Sequence, residues 1–141
     1  MSTPLWNKNM INSDRLNENK AALKKIVVIF NTGDLAEVNL IFSPDYVDHQ
    51  RPPGMDVSGP DEFKQIVRGA RTSLLKLKVT IEDLIAEDDK VVARLQWHST
   101  DPAGKKIDRE TIDILRLANG QVVEHWGAES WTSDNSPSDQ A

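Results

Sequence analysis

The sequence predicts an α+β domain, a curved antiparallel sheet with helices covering one face, and three observations carry that expectation. Apolar residues recur at helical spacing as far as Leu74, the spacing changes to two from Leu77 onward, and short turns separate the alternating stretches. Helices first and strands afterwards is an α+β order. With 141 residues, 38% hydrophobic and 28% charged, the chain can bury one core, and two full domains are not expected. Residues 1–12 and 132–141 are polar and aperiodic apart from Trp6 and read as flexible ends; residues 13–131 read as the single working domain.

Ser13 is placed to cap a first helix in which Leu16, Leu23, Ile26, Val27 and Phe30 share a stripe. Asp14 and Glu18 fall early in it and Lys24 and Lys25 late, as the helix dipole favours, and Asn31-Thr32-Gly33-Asp34 ends it. A short second helix is expected from Leu35 to about Phe42, capped by Asp34 and stopped by Ser43-Pro44; Asp45 to Gln50 then reads as extended. Arg51 to Gly59 holds two prolines and two glycines, which predicts a loop able to cover or line a pocket. Gly59-Pro60 followed by Asp61 and Glu62 opens a third helix, whose buried stripe is Phe63, Ile66, Val67, Ala70 and Leu74.

Four strands follow: Val79/Ile81/Asp83/Ile85, then Val91/Ala93/Leu95/Trp97, then Ile107–Leu117, then Gln121–Glu129, joined by turns short enough for an antiparallel meander. A three-residue loop at Ala118-Asn119-Gly120 pairs Leu115 with Val123 and Asp113 with His125, so that Asp113, His125 and Glu129 share the enclosed face. The other face then carries Ile112, Ile114, Arg116, Val122, Glu124 and Trp126, a mixture suited to a subunit interface. A two-residue Asn-Gly turn instead pairs Ile114 with His125 and sets Asp113 opposite Trp126. The first register is preferred because it puts Leu115 and Val123 together inside.

Composition removes several classes of function. Seventeen basic against 22 acidic residues give a net charge of −5, which offers nothing to nucleic acid or an anionic membrane. There is no cysteine, and the three histidines lack a zinc spacing, so no metal is expected. No GxGxxG, P-loop or GxSxG occurs, which argues against nucleotide cofactors and an elbow-type serine hydrolase. The longest apolar run is Ile26–Phe30, and the N-terminus lacks a basic flank with an apolar segment, so the expected location is cytoplasmic.

A sheet covered by helices along part of its length leaves an apolar space between the layers, and polar side chains facing that space are the candidates for chemistry. A carboxylate beside an imidazole, as Asp113 beside His125, is an acid/base unit; the same pair can equally serve to fasten the hairpin. Glu129 at the strand end is a second acid or base at the mouth, or a solvated terminus. Tyr46-Val47-Asp48-His49-Gln50 forms another polar cluster, in which His49 is the candidate to reach the pocket and Asp48 fits an Asx turn. Trp97 faces with Leu95 and Ala93, as core or as a platform for a flat substrate. Gln96 and His98 point the other way.

Tyr46-Val47-Asp48-His49, Gly59 with Phe63, Ile85-Ala86-Glu87-Asp88-Asp89-Lys90-Val91-Val92, and the stretch from Ile112 to Trp126 that ends in Glu124-His125-Trp126 together resemble the SnoaL-like polyketide cyclases. The resemblance spans about Asn19 to Trp131. It implies a nuclear-transport-factor-2-like fold, in which a bent antiparallel sheet forms a cone with three helices packed on its concave face, and a homodimer through the sheet. It also implies a cofactor-free cyclase closing a ring on a polyketide-like or other small apolar substrate, with an acid after the His-Trp pair. Relatives commonly carry Asp four residues beyond that Trp. Here Ser130 stands there and Glu129 precedes it, so either Glu129 substitutes or the reaction is changed or lost. Asp113, His125, Glu129 and His49 are the expected catalytic residues, with Tyr46, Trp97, Trp126 and Phe63 against the substrate. The competing expectations are a cyclase or hydrolase that opens an epoxide, a non-catalytic binder of an apolar metabolite, and a structural dimer module with a filled cone.

Overall fold

The computed structural model describes residues 11–130. The expectations for residues 1–10, for Trp131 and for the tail at 132–141 lie outside that range. Helix α1 (Ile11–Thr32) places Ser13 inside its first turn rather than at its cap. The stripe falls as the spacing requires: Leu23, Ile26, Val27 and Phe30 are buried, and Leu16 is half-buried. Gly33, at φ +78°, ends the helix by donating its N–H to the Ile29 carbonyl at 2.7 Å, a left-handed step that glycine makes without strain. Lys24 and Lys25 sit too early to meet the helix's carbonyl end. Arg71 does so instead, donating from Nη1 to the Phe30 and Asn31 carbonyls at 2.8 and 3.0 Å.

The expected second helix contracts to α2 (Val38–Ile41). Asp34 turns the chain by accepting the Ala36 N–H at 3.0 Å, an Asx turn rather than a helix cap. Strand β1 (Phe42–Asp48) begins earlier than expected and runs through Ser43-Pro44. Proline is tolerated because β1 lies at the sheet's edge, where a missing N–H breaks no ladder. Arg51–Gly59 is a loop, and α3 (Pro60–Ser73) follows, with Pro60 in its first turn and Phe63 and Val67 buried.

Strands β2 (Leu75–Glu87), β3 (Lys90–Thr100), β4 (Lys106–Ala118) and β5 (Gln121–Glu129) form the meander. The five-stranded curved sheet has the order β1-β5-β4-β3-β2. It is not wholly antiparallel, because β1 returns beside the last strand and pairs with it in parallel. Of the sheet's four register shifts, two overturn expected side-chain directions. One lies between Ile81 and Asp83, so Leu84 and Ala86 pack on the core while Ile85, expected on the Ile81 face, is 62% exposed.

The other bulge alters the last hairpin. Asn119 and Gly120, both at positive φ, make a two-residue turn that pairs Ala118 with Gln121 and Leu117 with Val122. The register then shifts, so that Leu115 lies opposite His125 and Asp113 opposite Gly127. The alternative two-residue turn is therefore the one formed, but beyond the bulge neither expected register holds; a shift of two residues from the preferred one preserves the faces, and Asp113 and His125 are diagonal neighbours on the inner side. Val122 moves from the expected outer face to the core, fully buried, and Val123 gives up the inner position.

Candidate functional site

Between α1, α3 and the inner face of the sheet lies a cavity of about 330 Å³. Its body is apolar, and its side wall is an interlocked ring cluster. Phe30 meets Trp97 edge-on at 5.0 Å and Phe63 at 5.6 Å, and Phe63 stacks on Phe42 at 4.2 Å. A filled cone is therefore excluded. No helix among the described residues is long and apolar enough to cross a membrane.

Polar groups gather at one end. Parallel pairing sets Asp48 of β1 directly beside His125 of β5, and the β4–β5 register sets Asp113 diagonally beyond it. The imidazole is held between the two carboxylates: Nδ1 is 2.8 Å from Asp48 Oδ1, and Nε2 is 2.8 Å from Asp113 Oδ1. The Tyr46 hydroxyl donates to Asp48 Oδ2 at 3.1 Å, and the Gln50 N–H donates to Asp48 Oδ1 at 2.8 Å, so the expected Asx turn is present as well. On the other flank Trp97 Nε1–H donates to Thr111 Oγ1 at 2.9 Å, and that hydroxyl donates to Asp113 Oδ2 at 2.7 Å.

Burial pulls the His125 pKa down, but the hydrogen bonds to Asp113 and then Asp48 outweigh it and raise the pKa to about 9. The ring is thus an imidazolium at neutral pH, with both N–H groups committed to carboxylates. Burial pushes the Asp48 carboxyl up, but the bonds from His125, Gln50 and Tyr46 hold it below the usual range. Burial beside Asp48 drives the Tyr46 phenol upward, so it stays protonated as a donor.

Sequence spacing did not single out Glu62. This α3 residue is almost fully buried, and burial raises its pKa although Arg51 Nε lies 2.9 Å from Oε2. That oxygen receives no aligned hydrogen bond. Glu62 also accepts from the Asp48 backbone, and Arg51 additionally donates to the Val57 carbonyl. Glu62 and Arg51 thereby tie the end of β1 and the 51–59 loop to α3. Gly127 leaves room for the trio: a Cβ there would meet Asp113 Oδ1 at 2.8 Å and Gln50 Cδ at 2.9 Å.

The expected residues divide between the two faces of the sheet. Asp113, His125, Tyr46, Trp97 and Phe63 line the cavity, and Glu129 lies at its rim, where Arg109 Nη1 donates to its Oε2 at 3.0 Å. His49 and Trp126 do not line it. Because Asp48 points inward, its neighbour His49 points outward, stacks on Trp126 at 4.9 Å and approaches Glu124 Oε2 at 2.8 Å. Both side chains therefore lie on the outer face, away from the cavity. Among the described residues no group of three or more His, Asp or Glu side chains is arranged to hold a metal ion.

The family model for SnoaL-like polyketide cyclases matches residues 20–130. The chain belongs to the SnoaL-like polyketide cyclase family. Members of this family bind small molecules. Among solved structures, a Bacillus cereus ATCC 10987 protein named as a candidate polyketide cyclase is 30% identical with a TM-score of 0.74, the match covering 80% of this chain and 74% of that one. AclR of Streptomyces galilaeus, named as a candidate hydroxylase, is 25% identical with a TM-score of 0.68 over 82% of this chain and 80% of its own. TsrD of Streptomyces laurentii, 20% identical with a TM-score of 0.73 over 81% and 89%, shares the fold. No match emerges among curated proteins.

Proposed function

We propose that this SnoaL-like protein is a cofactor-free cyclase or isomerase acting by general acid/base chemistry on a polyketide-like or other natural-product small molecule. The observation that carries the proposal is the His125 ring, bridged at 2.8 Å on each side by Asp48 and Asp113 in the polar part of a largely apolar cavity. Asp113 takes a proton from an activated C–H or O–H of the substrate. The imidazolium, whose N–H groups stay on Asp48 and Asp113, stabilises the developing oxyanion by its nearby positive charge, while Asp48 keeps the ring charged and oriented. The proton on Asp113 then returns to the product, so a ring closure or isomerisation consumes no other reagent. Glu129, at the rim with Arg109, is the second acid or base and stands in for the acid that relatives carry at the position of Ser130.

Replacing Asp113 by Asn and Glu129 by Gln, in variants shown to be folded, tests these roles: a wild-type turnover rate in both would end the proposal. A second reading, a non-catalytic binding domain, draws on the closure of the Trp97-Thr111-Asp113-His125-Asp48-Tyr46 network upon itself. Saturable binding with no chemical change in the ligand would favour it. We also propose a homodimer through the outer sheet face, where Val47 and Ile112 are 48% and 42% exposed near Ile114 and Trp126. A monomer at micromolar concentration by sedimentation would refute that interface.

A further inference from the structure

We infer that the cavity holds a compact part of its substrate, one or two rings and uncharged where it meets Asp113 and His125, and that a carboxylate or a third fused ring is held less well there. The inference rests on the cavity being the substrate site and adds what that substrate can be.

Size is the first argument. An apolar protein cavity of about 150 Å³ holds one benzene, so a space of this volume holds about two such rings. The space lies at the low end of ligand sites, which run from about 300 to about 1,000 Å³. Its wall cannot retreat cheaply. Phe30 and Phe63 touch each other, Trp97 and Phe42 brace them, and Trp97 is further fixed by its bond to Thr111. Widening the cavity would break several packed ring contacts at once.

Charge is the second argument. The Asp113–His125 end holds two carboxylates and one imidazolium, a net charge of minus one, and a neutral imidazole would only make it more negative. Both imidazole nitrogens already face carboxylate oxygens. Arg109, the cation at the rim, is engaged by Glu129. A ligand carboxylate would enter a desolvated, already negative end with no free cation to receive it. A hydroxyl or ketone meets no such penalty, because it can share the hydrogen bonds around Asp113.

Equilibrium binding of neutral 2-naphthol, its acid counterpart 2-naphthoate and the three-ring 2-hydroxyanthracene to the wild-type protein at near-neutral pH tests both arguments, read by calorimetry and by Trp fluorescence. We expect 2-naphthol to bind about tenfold or more tightly than either of the others, the scale on which a fitted apolar pocket rejects excess volume. Ala70 lines the cavity. Ala70→Leu should therefore weaken 2-naphthol about tenfold while phenol binding survives. Equal or tighter binding of the naphthoate or of the three-ring compound overturns the inference, as does failure of 2-naphthol to bind at all. These outcomes are separate from the fate of the catalytic proposal. Selective binding of compact neutral ligands with no turnover of any cyclisable one leaves this inference standing and removes the enzyme.

Discussion

Raising the pH from about 6 to about 10 should cost this protein about 3 kcal/mol of stability through one side chain, His125. In the unfolded chain the imidazole releases its proton near its ordinary value of 6.5; between Asp48 and Asp113 it holds that proton to about 9. At about 1.36 kcal/mol for each tenfold change, that gap is worth about 3 kcal/mol. Between the two values the native state binds a proton that the unfolded state lacks, so stability falls as pH rises. The contribution is complete below 6.5 and gone above 9. The assay is urea denaturation across this range for wild type and His125→Gln, which keeps the size but cannot titrate. The stability gap between the two proteins should shrink by about 3 kcal/mol from the acid to the alkaline end. A gap independent of pH, or an NMR titration placing the His125 ring at or below 6.5, would refute the bridged imidazolium and the catalytic scheme built on it.

Asp48, held below its usual range, adds stability above its unfolded value that is lost as pH falls through its lower folded value, and Asp48→Asn should flatten that acid limb in the same experiment. Gly127→Ala should destabilise by about 1–3 kcal/mol and displace Asp113 and Gln50, seen as a shifted His125 titration; an unchanged titration and midpoint would show that the space is not needed. Gly59→Ala places a Cβ 2.9 Å from the Pro44 carbonyl oxygen at φ +67° and should cost about 1–3 kcal/mol by thermal or urea unfolding. Asn31 accepts the Val79 N–H at 2.7 Å and donates to the Val79 carbonyl at 3.0 Å, so Asn31→Ala should lose about 1–3 kcal/mol and speed hydrogen exchange at Val79; protected exchange in the variant would contradict this clamp.

How much of the site was legible depended on whether the information was local. Asp113 and His125 reach the same face because the bulge after Val122 offsets the two-residue Asn119-Gly120 turn, which alone would set Asp113 opposite Trp126. The bulge after Val122 carries no sequence mark of its own, so the register lies two residues from the one a three-residue loop predicts, with the faces unchanged. The outward direction of His49 is hidden for a related reason. Within Tyr46–Gln50 every second residue faces inward, but nothing in that stretch says which set, and the answer is fixed by the pairing of β1 with β5 across more than seventy residues.

The sequence by itself determined the α+β order, the helix start at Gly59-Pro60, the helix end within Asn31-Thr32-Gly33-Asp34, the apolar stripes and the family, since each rests on backbone preferences and periodicities within a few residues or on a contiguous motif. Only the tertiary structure decided that Asp48 is the second carboxylate on His125, that Glu62 is buried behind it, that Arg71 meets the end of α1, and how large the cavity is. Those are contacts between residues far apart in the chain. They depend on bulges, crossovers and ring packing, whose energies exist only once the layers have closed.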